Sequence, residues 1–370
     1  MELRHASLLI LGVLTLCLCG CEPKQKAAET QPSASAIDDP QIAHIAATQS
    51  LWASGSKTLQ AVLAYSTTLN EELDLFIANP TEAKLISARN AWAKAELAYQ
   101  HFYFFSQFGI TEPQIFADLA KSCFAIGASP IQPGYLDYFS SYPYSGLVHD
   151  ISVELTPQAL QEQHGMTDIE DVVLGLYAIE FILYGETKMR PVSDFTPDLV
   201  LTTAQKETGF KGIEETPNNR RRALLQLQAN QLSQDLKTLI SQWQATDNGS
   251  MKAGWEQLPY SARKMTIYKT FERTLTQLLL RTAIATPQSD QAYDEATAQD
   301  NARHIASSIQ SLYAAFPWIA EKQRAVISTH LHNAEALLQT LSEQPTPDSR
   351  QWQQAYQALK LTMDTHLGAS

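Results

Sequence analysis

The run Val172-Val173-Leu174-Gly175-Leu176-Tyr177-Ala178-Ile179-Glu180-Phe181-Ile182-Leu183-Tyr184 constrains this chain more than any other stretch of it. It is shorter than the ~20 apolar residues a membrane-spanning helix needs. As a helix it is apolar on all sides, and such a helix has to be buried on all sides. Thr167-Asp168-Ile169-Glu170 just ahead of it reads as a capping box, so the pattern predicts a helix over 168–184 that stops at Gly185. One carboxylate, Glu180, sits in the middle. Burying an unpaired ionised carboxylate costs several kcal/mol, so Glu180 needs a cation, a metal, hydrogen-bond donors or a proton. Tyr177, three residues earlier, shares its face. A structural Glu held by an Arg or Tyr of a neighbouring helix and a ligand or proton-handling group between helices both fit this pattern.

The rest of the sequence supplies the elements needed to surround that helix. With only 15 Gly and 17 Pro in 370 residues, long stretches run without either, and their apolar spacing is helical. One helix is predicted from Pro40 to Ile77 with a break at Gly55. Asn79-Pro80 with Glu82 carries the start signal for a second, which runs to Phe108 and stops at Gly109. Thr216-Pro217 opens another, striped by Leu225, Leu232, Leu236, Leu239 and Trp243, and Pro259, the stretch Ser289 to Phe316, Pro317 and Pro347 delimit four more. No alternating β pattern extends beyond a few residues, so the fold class is all-α. The large irregular stretch, Gly127 to Pro157, is rich in Pro, Gly, Tyr and Ser. A loop that long is usually functional or covered by its own contacts.

The net charge of −12 argues against a nucleic-acid partner held by a basic patch. Cysteine usage excludes a disulfide framework, because Cys17, Cys19 and Cys21 crowd the N-terminus and only Cys123 lies in the body, within a predicted helix and without a paired Cys or His. It reads as a buried, inert thiol. Arg4, the apolar run Leu8 to Leu18 and then Leu18-Cys19-Gly20-Cys21 resemble a bacterial lipoprotein signal. The expectation is removal of residues 1–20, lipidation of Cys21 and a flexible tether over 21–39. Glu22, where an Asp would favour retention at the inner membrane, points to the outer membrane facing the periplasm.

The run Gly175 to Gly185 resembles the signature helix of the imelysin-like family, Gly-x-His-x-x-Glu followed by Phe-Leu-Leu-Trp-Gly. Arg89 to Trp92 with Tyr99 resemble the family's first signature helix, and Pro133-Gly134-Tyr135-Leu136-Asp137 with Ser145-Gly146 its loop before the motif. Asn219-Arg220-Arg221-Arg222 resembles its basic helix start, and Asp300-Asn301 its Ser-Asp-Asn segment. The resemblance implies two similar four-helix bundles, here 40–210 and 211–370, with a site at their interface. It also implies an envelope protein linked to iron uptake and metal binding. An older classification as metallopeptidases rested on His-x-x-Glu, and the family fold does not support it.

The departures from the motif bear on chemistry. Tyr177 stands where the family has His, Glu96 where it has Arg, and Tyr103 where it has Glu. Imidazole suits Fe, Zn and Cu, whereas a phenol ligates only a hard ion that strips its proton. The candidate site is therefore Glu180, Tyr177, Glu96 and Tyr103, oxygen-only and suited to iron(III) or another hard ion, or else no metal site at all. Gly175, Trp92, Tyr99, Asp137, Arg221, Asp300 and Asn301 are the motif and structural residues. Arg89, Arg221, Arg222 and Arg303 are alternative partners for Glu180.

Several further groups read as background. His332-Asn333-Ala334-Glu335 lacks a second His at zinc spacing and reads as a solvated face. His149 reads mainly as a surface loop residue, and His304 is a weaker site candidate. Arg220-Arg221-Arg222 opposes the dipole at a helix start, and pairing with Glu214 and Glu215 is the expected resolution. The reading that results is a non-catalytic, lipid-anchored metal-binding or iron-uptake accessory protein, with possible metal-uptake components as partners. Its alternatives are a metallopeptidase, disfavoured by Tyr177, and a partner-binding lipoprotein whose metal site has decayed.

Overall fold

A computed structural model describes residues 40–187 and 189–284, together with four isolated positions further on, 329, 354, 357 and 361. Cys21, the signal and tether, Asp300, Asn301, Arg303, His304 and the segment His332 to Glu335 lie outside the described residues, as does most of the second predicted bundle. Within the described part every regular element is a helix, joined by turns and one isolated bridge between Phe139 and Tyr142, as the sequence predicts.

The longest element, α1, runs from Pro40 to Ala78 without the break predicted at Gly55. That glycine serves packing: a Cβ placed on it would fall 2.2 Å from the Trp243 ring. Trp243 closes α9, Pro217–Gln244, whose predicted apolar stripe is buried as expected. Trp52 and Trp243 stack at 5.1 Å, and each indole N–H donates to the other's backbone carbonyl, at 3.1 and 3.0 Å. The exchange satisfies both buried indoles.

The second helix, α2, spans Glu82–Ser106. It starts later than Asn79-Pro80 predicts because Thr81 is the cap, its side chain accepting from the Lys84 N–H. Gly109 does not stop it. The chain leaves α2 at Gln107 and makes one turn, α3 (Phe108–Thr111), where Gly109 allows Ala120 of α4 (Pro113–Gly127) to pack close. Short helices α5 (Pro133–Leu136) and α6 (Pro157–Gln163) lie in and after the predicted loop.

The motif helix, α7, spans Leu176–Tyr184 and not 168–184. Gly175 has φ +89°, and a Cβ there would meet the Ile126 carbonyl oxygen at 2.4 Å. Only glycine tolerates that conformation. Ahead of it residues 168–170 are exposed and 171–175 buried, and neither part is helical, because side chains take over the backbone bonding. The Asp171 carboxylate accepts from the Thr167 hydroxyl and from the N–H groups of Thr167 (3.0 Å) and Asp168 (2.9 Å), a local turn in place of a capping box. His164 Nδ1 accepts from the N–H groups of Val173 (3.1 Å) and Leu174 (3.3 Å), and Gln228 donates to the Val173 carbonyl at 2.8 Å.

After α8 (Thr203–Glu207) and α9 come α10 (Met251–Gln257) and α11 (Tyr260–Ile284). The core is built where α1, α2 and α9 pack together, with α4 and α7 against them and α11 against α2 and α3. α9 follows the 210/211 boundary predicted from sequence and shares this core with helices that precede it.

Candidate functional site

One face of α2 meets α7. Trp92, Glu96, Tyr99, Gln100 and Tyr103 recur at helical spacing along that face. Its near end clamps α7: the Trp92 indole donates to the Leu176 carbonyl at 2.7 Å. Arg89 donates to the carbonyls of Leu183 (2.9 Å) and Arg190 (2.8 Å), placing a cation at the C-terminus of α7, where the helix dipole favours one. The guanidinium also lies 4.8 Å from the Tyr184 ring centroid.

In the middle of this face Glu96, Gln100 and Tyr177 form a closed ring of hydrogen bonds. Gln100 Nε2 donates to Glu96 Oε1 at 2.5 Å and to the Tyr177 hydroxyl at 2.8 Å, and that hydroxyl donates to Glu96 Oε1 at 3.4 Å. All three side chains are buried. Gln100 Oε1, on the other side of the amide, is buried with no hydrogen-bond partner.

Glu180 follows Tyr177 by one turn and is 1% exposed. Burial, with the Glu180 charge added to it, pushes the Tyr184 hydroxyl pKa up to about 12. Burial likewise raises Tyr99 well above the ordinary phenol range, with Tyr177 and Tyr103 among the neighbours that contribute. The Tyr99 hydroxyl donates to the Cys123 carbonyl at 3.4 Å, and burial pushes the Cys123 thiol, half-buried where the sequence predicts full burial, up to about 12. Of the sequence candidates the structure thus brings Glu96 and Tyr177 into contact and places Glu180 one turn away. Tyr103 is half-buried further along α2. Gln100 was not foreseen, although it lies four residues after Glu96 on the signature face.

A second polar cluster lies where the loop after α5 meets the start of α9. Asp137, fully buried, accepts from Arg221 Nε at 2.6 Å and Nη2 at 3.0 Å, and from Arg190 Nη1 at 2.8 Å. His149 Nε2 stands 3.4 Å from its other side, so His149 lines this cluster and is not the surface residue its loop position suggests. Burial alone would raise the Asp137 pKa. The His149 and Arg221 hydrogen bonds and the charges of Arg190 and Arg221 outweigh it and hold the carboxyl well below the usual carboxylate range. Arg190, absent from the sequence candidates because its partner lies more than fifty positions away, also bonds Asp194 at 3.3 Å and stacks on Tyr138 at 4.8 Å.

The predicted pairing of Arg220-Arg221-Arg222 with Glu214 and Glu215 gives way to this network. Arg221 takes Asp137. Arg220 donates to the carbonyls of Leu147 (2.7 Å), Val148 (3.1 Å), Asp150 (2.7 Å) and Val153 (2.9 Å). Arg222 reaches the Ile77 carbonyl at 2.8 Å. Long-range carbonyls and a buried acid outcompete the adjacent exposed glutamates. Arg89, Arg221 and Arg222, each a sequence candidate to hold Glu180, direct these hydrogen bonds elsewhere.

An all-helical body that buries an acidic and phenolic cluster between two signature helices, with no strand among the described residues, defines the class. The sequence model of the Imelysin family (Peptidase_M75) matches residues 55–365, and the chain belongs to that family. Among solved structures it is similar to a protein from Parabacteroides distasonis ATCC 8503, provisionally named an iron-regulated protein A precursor. The identity is 14% and the TM-score 0.56, over 90% of this chain and 95% of that one. No curated protein matches the chain.

Proposed function

We propose that this imelysin-family protein is an iron-related protein of the cell envelope that binds a hard cation, iron(III) foremost, at the Glu96, Tyr177 and Glu180 cluster, without catalysing a reaction. The observation that carries the reading is the contact of Glu96 with Tyr177 across α2 and α7, inside the family's two signature helices. The Parabacteroides protein's name adds an association with iron.

The donor chemistry decides what fits. Among the described residues no three His, Cys, Asp or Glu side chains group in a way that holds a metal ion, so the described carboxylates alone do not complete a shell. Phenol and amide oxygens have to contribute, and such a set suits hard cations over zinc or copper. Bound there, iron(III) would supply the positive charge that two buried carboxylates and a phenolate neutralise. Catalytic zinc sites are built mainly on His ligands, and Tyr177 at the motif His disfavours the metallopeptidase alternative.

In this reading Cys21 carries the lipid anchor, residues 21–39 tether the body, and the protein faces the periplasm from the outer membrane, handing its cargo to metal-uptake components. No helix among the described residues is long and apolar enough to cross a membrane. Titration of the purified protein with ferric nitrilotriacetate tests the site. A visible phenolate-to-iron band that the Tyr177→Phe variant lacks, with uptake lost in Glu96→Gln, is the expected result. Equal uptake by wild type and both variants would remove the site.

A further inference from the structure

Resting on that reading, we propose that Gln100 is a two-position ligand of the site: its amide nitrogen holds Glu96 and Tyr177 together in the cation-free protein, and its Oε1 turns in to bind the cation. The amide NH2 sits 2.5 Å from Glu96 Oε1 and 2.8 Å from the Tyr177 hydroxyl, where a cation bridging the same two oxygens would have to be. Its partial positive charge stands in for that cation. The opposite end of the amide, Oε1, is buried without a hydrogen-bond partner, which costs free energy in the resting state.

A half-turn about the last side-chain torsion exchanges the two ends with little movement of other atoms. Without a cation the exchanged state is unfavourable, because Oε1 then faces the Glu96 carboxylate and the amide N–H bond to Glu96 is lost. With a cation between them it becomes favourable. The orphaned acceptor gains a partner, and the shell gains a neutral oxygen beside the carboxylate and the phenol. That torsion is broad and roughly two-fold, so the turn meets no large intrinsic barrier. Gln100 thereby sets selectivity: the ring stays closed to anything that binds Glu96 and Tyr177 more weakly than the amide NH2 does, and a neutral oxygen ligand adds no further negative charge.

Ferric nitrilotriacetate titrations of Gln100→Met and Gln100→Glu, with melting temperature measured in the absence and presence of metal, test this. Gln100→Met removes both the bridging nitrogen and the ligand oxygen, and its affinity should fall by about tenfold or more, with the tyrosine-to-iron band present but shifted. Gln100→Glu supplies the oxygen permanently and no bridging N–H. It should melt lower than wild type without metal and recover on adding it, and it should bind more tightly than wild type. If Gln100→Met binds as tightly as wild type or more so, while Glu96→Gln still abolishes binding, the amide is only a plug and the two-position role is wrong. If folded wild type takes up no ferric ion, the functional reading fails and this proposal with it, a result distinct from loss in the Gln100 variants alone.

Discussion

The two buried polar clusters of this molecule solve the same physical problem in opposite ways. At the start of α9, Asp137 meets two guanidiniums and an imidazole, so its charge is matched inside the fold. Between α2 and α7, Glu96 accepts hydrogen bonds from the Gln100 amide and the Tyr177 phenol. The first arrangement is complete as it stands and ties together the loop after α5, the segment after α7 and the start of α9. The second joins a carboxylate to an amide and a phenol, groups whose oxygens also suit a hard cation. Under the proposed function, Asp137 serves the fold and Glu96 the ligand.

The largest expected effect comes from breaking the matched cluster. Asp137→Asn leaves Arg190 and Arg221 buried with only the partly exposed Asp194 to balance them, and removing one partner of a buried ion pair costs about 3–5 kcal/mol. Chemical denaturation should show a loss of that size. A loss under about 1 kcal/mol would mean that solvent reaches the cluster and that its pairing contributes little.

His164 comes next and adds a pH signature. Burial lowers its pKa, partly offset by the bond to the Phe124 carbonyl, and its Nδ1 must stay unprotonated to accept from Val173 and Leu174. The folded state therefore binds its proton less readily than the unfolded chain, whose His titrates near 6.5. Stability is full above that pH and declines as pH falls below it. Asp137, with a folded pKa below its ordinary 3.8, adds a further loss only when pH falls under that value. His164→Ala leaves two buried N–H groups unsatisfied and should cost about 1–3 kcal/mol, while flattening the decline between about pH 7 and pH 5. A variant with the wild-type pH profile would assign that decline elsewhere.

These residues show where sequence reasoning stopped. The helices α1 and α9, the stripe ending at Trp243 and the family motifs are written in local periodicity and were legible. The start of α7 was not. A capping-box pattern at 167–170 loses to Asp171, which turns the backbone locally, and to His164 and Gln228, which reach it from outside the segment and give it non-helical partners. The arginines at 220–222 were placed by their sequence neighbours, whereas their partners lie far off in the chain. Gln100 escaped notice because motif reading looks for charge and imidazole, and the group that fills the site is a neutral amide.

Tyr177→Phe removes one hydroxyl from the ring and should cost about 0.5–1.5 kcal/mol, less than either change above, because Gln100 and Glu96 keep their own bond. Calorimetric unfolding measures it, and a cost near that of Asp137→Asn would show that the ring is a structural keystone.

The smallest effect on stability, and the sharpest test of the contrast, is Glu96→Gln. It makes the same chemical change as Asp137→Asn, carboxylate to amide, at a comparably buried position. Its Oε1 can still accept from Gln100 and Tyr177, while the desolvation penalty of the charge disappears. The expected change is within about 1 kcal/mol of zero, of either sign, together with loss of ferric binding. A chain that keeps a buried carboxylate its fold can do without is holding it for something outside the fold. If Glu96→Gln instead destabilised the protein as much as Asp137→Asn, both acids would be structural, and the site between α2 and α7 would lose the feature that separates it from the ion network beside α9.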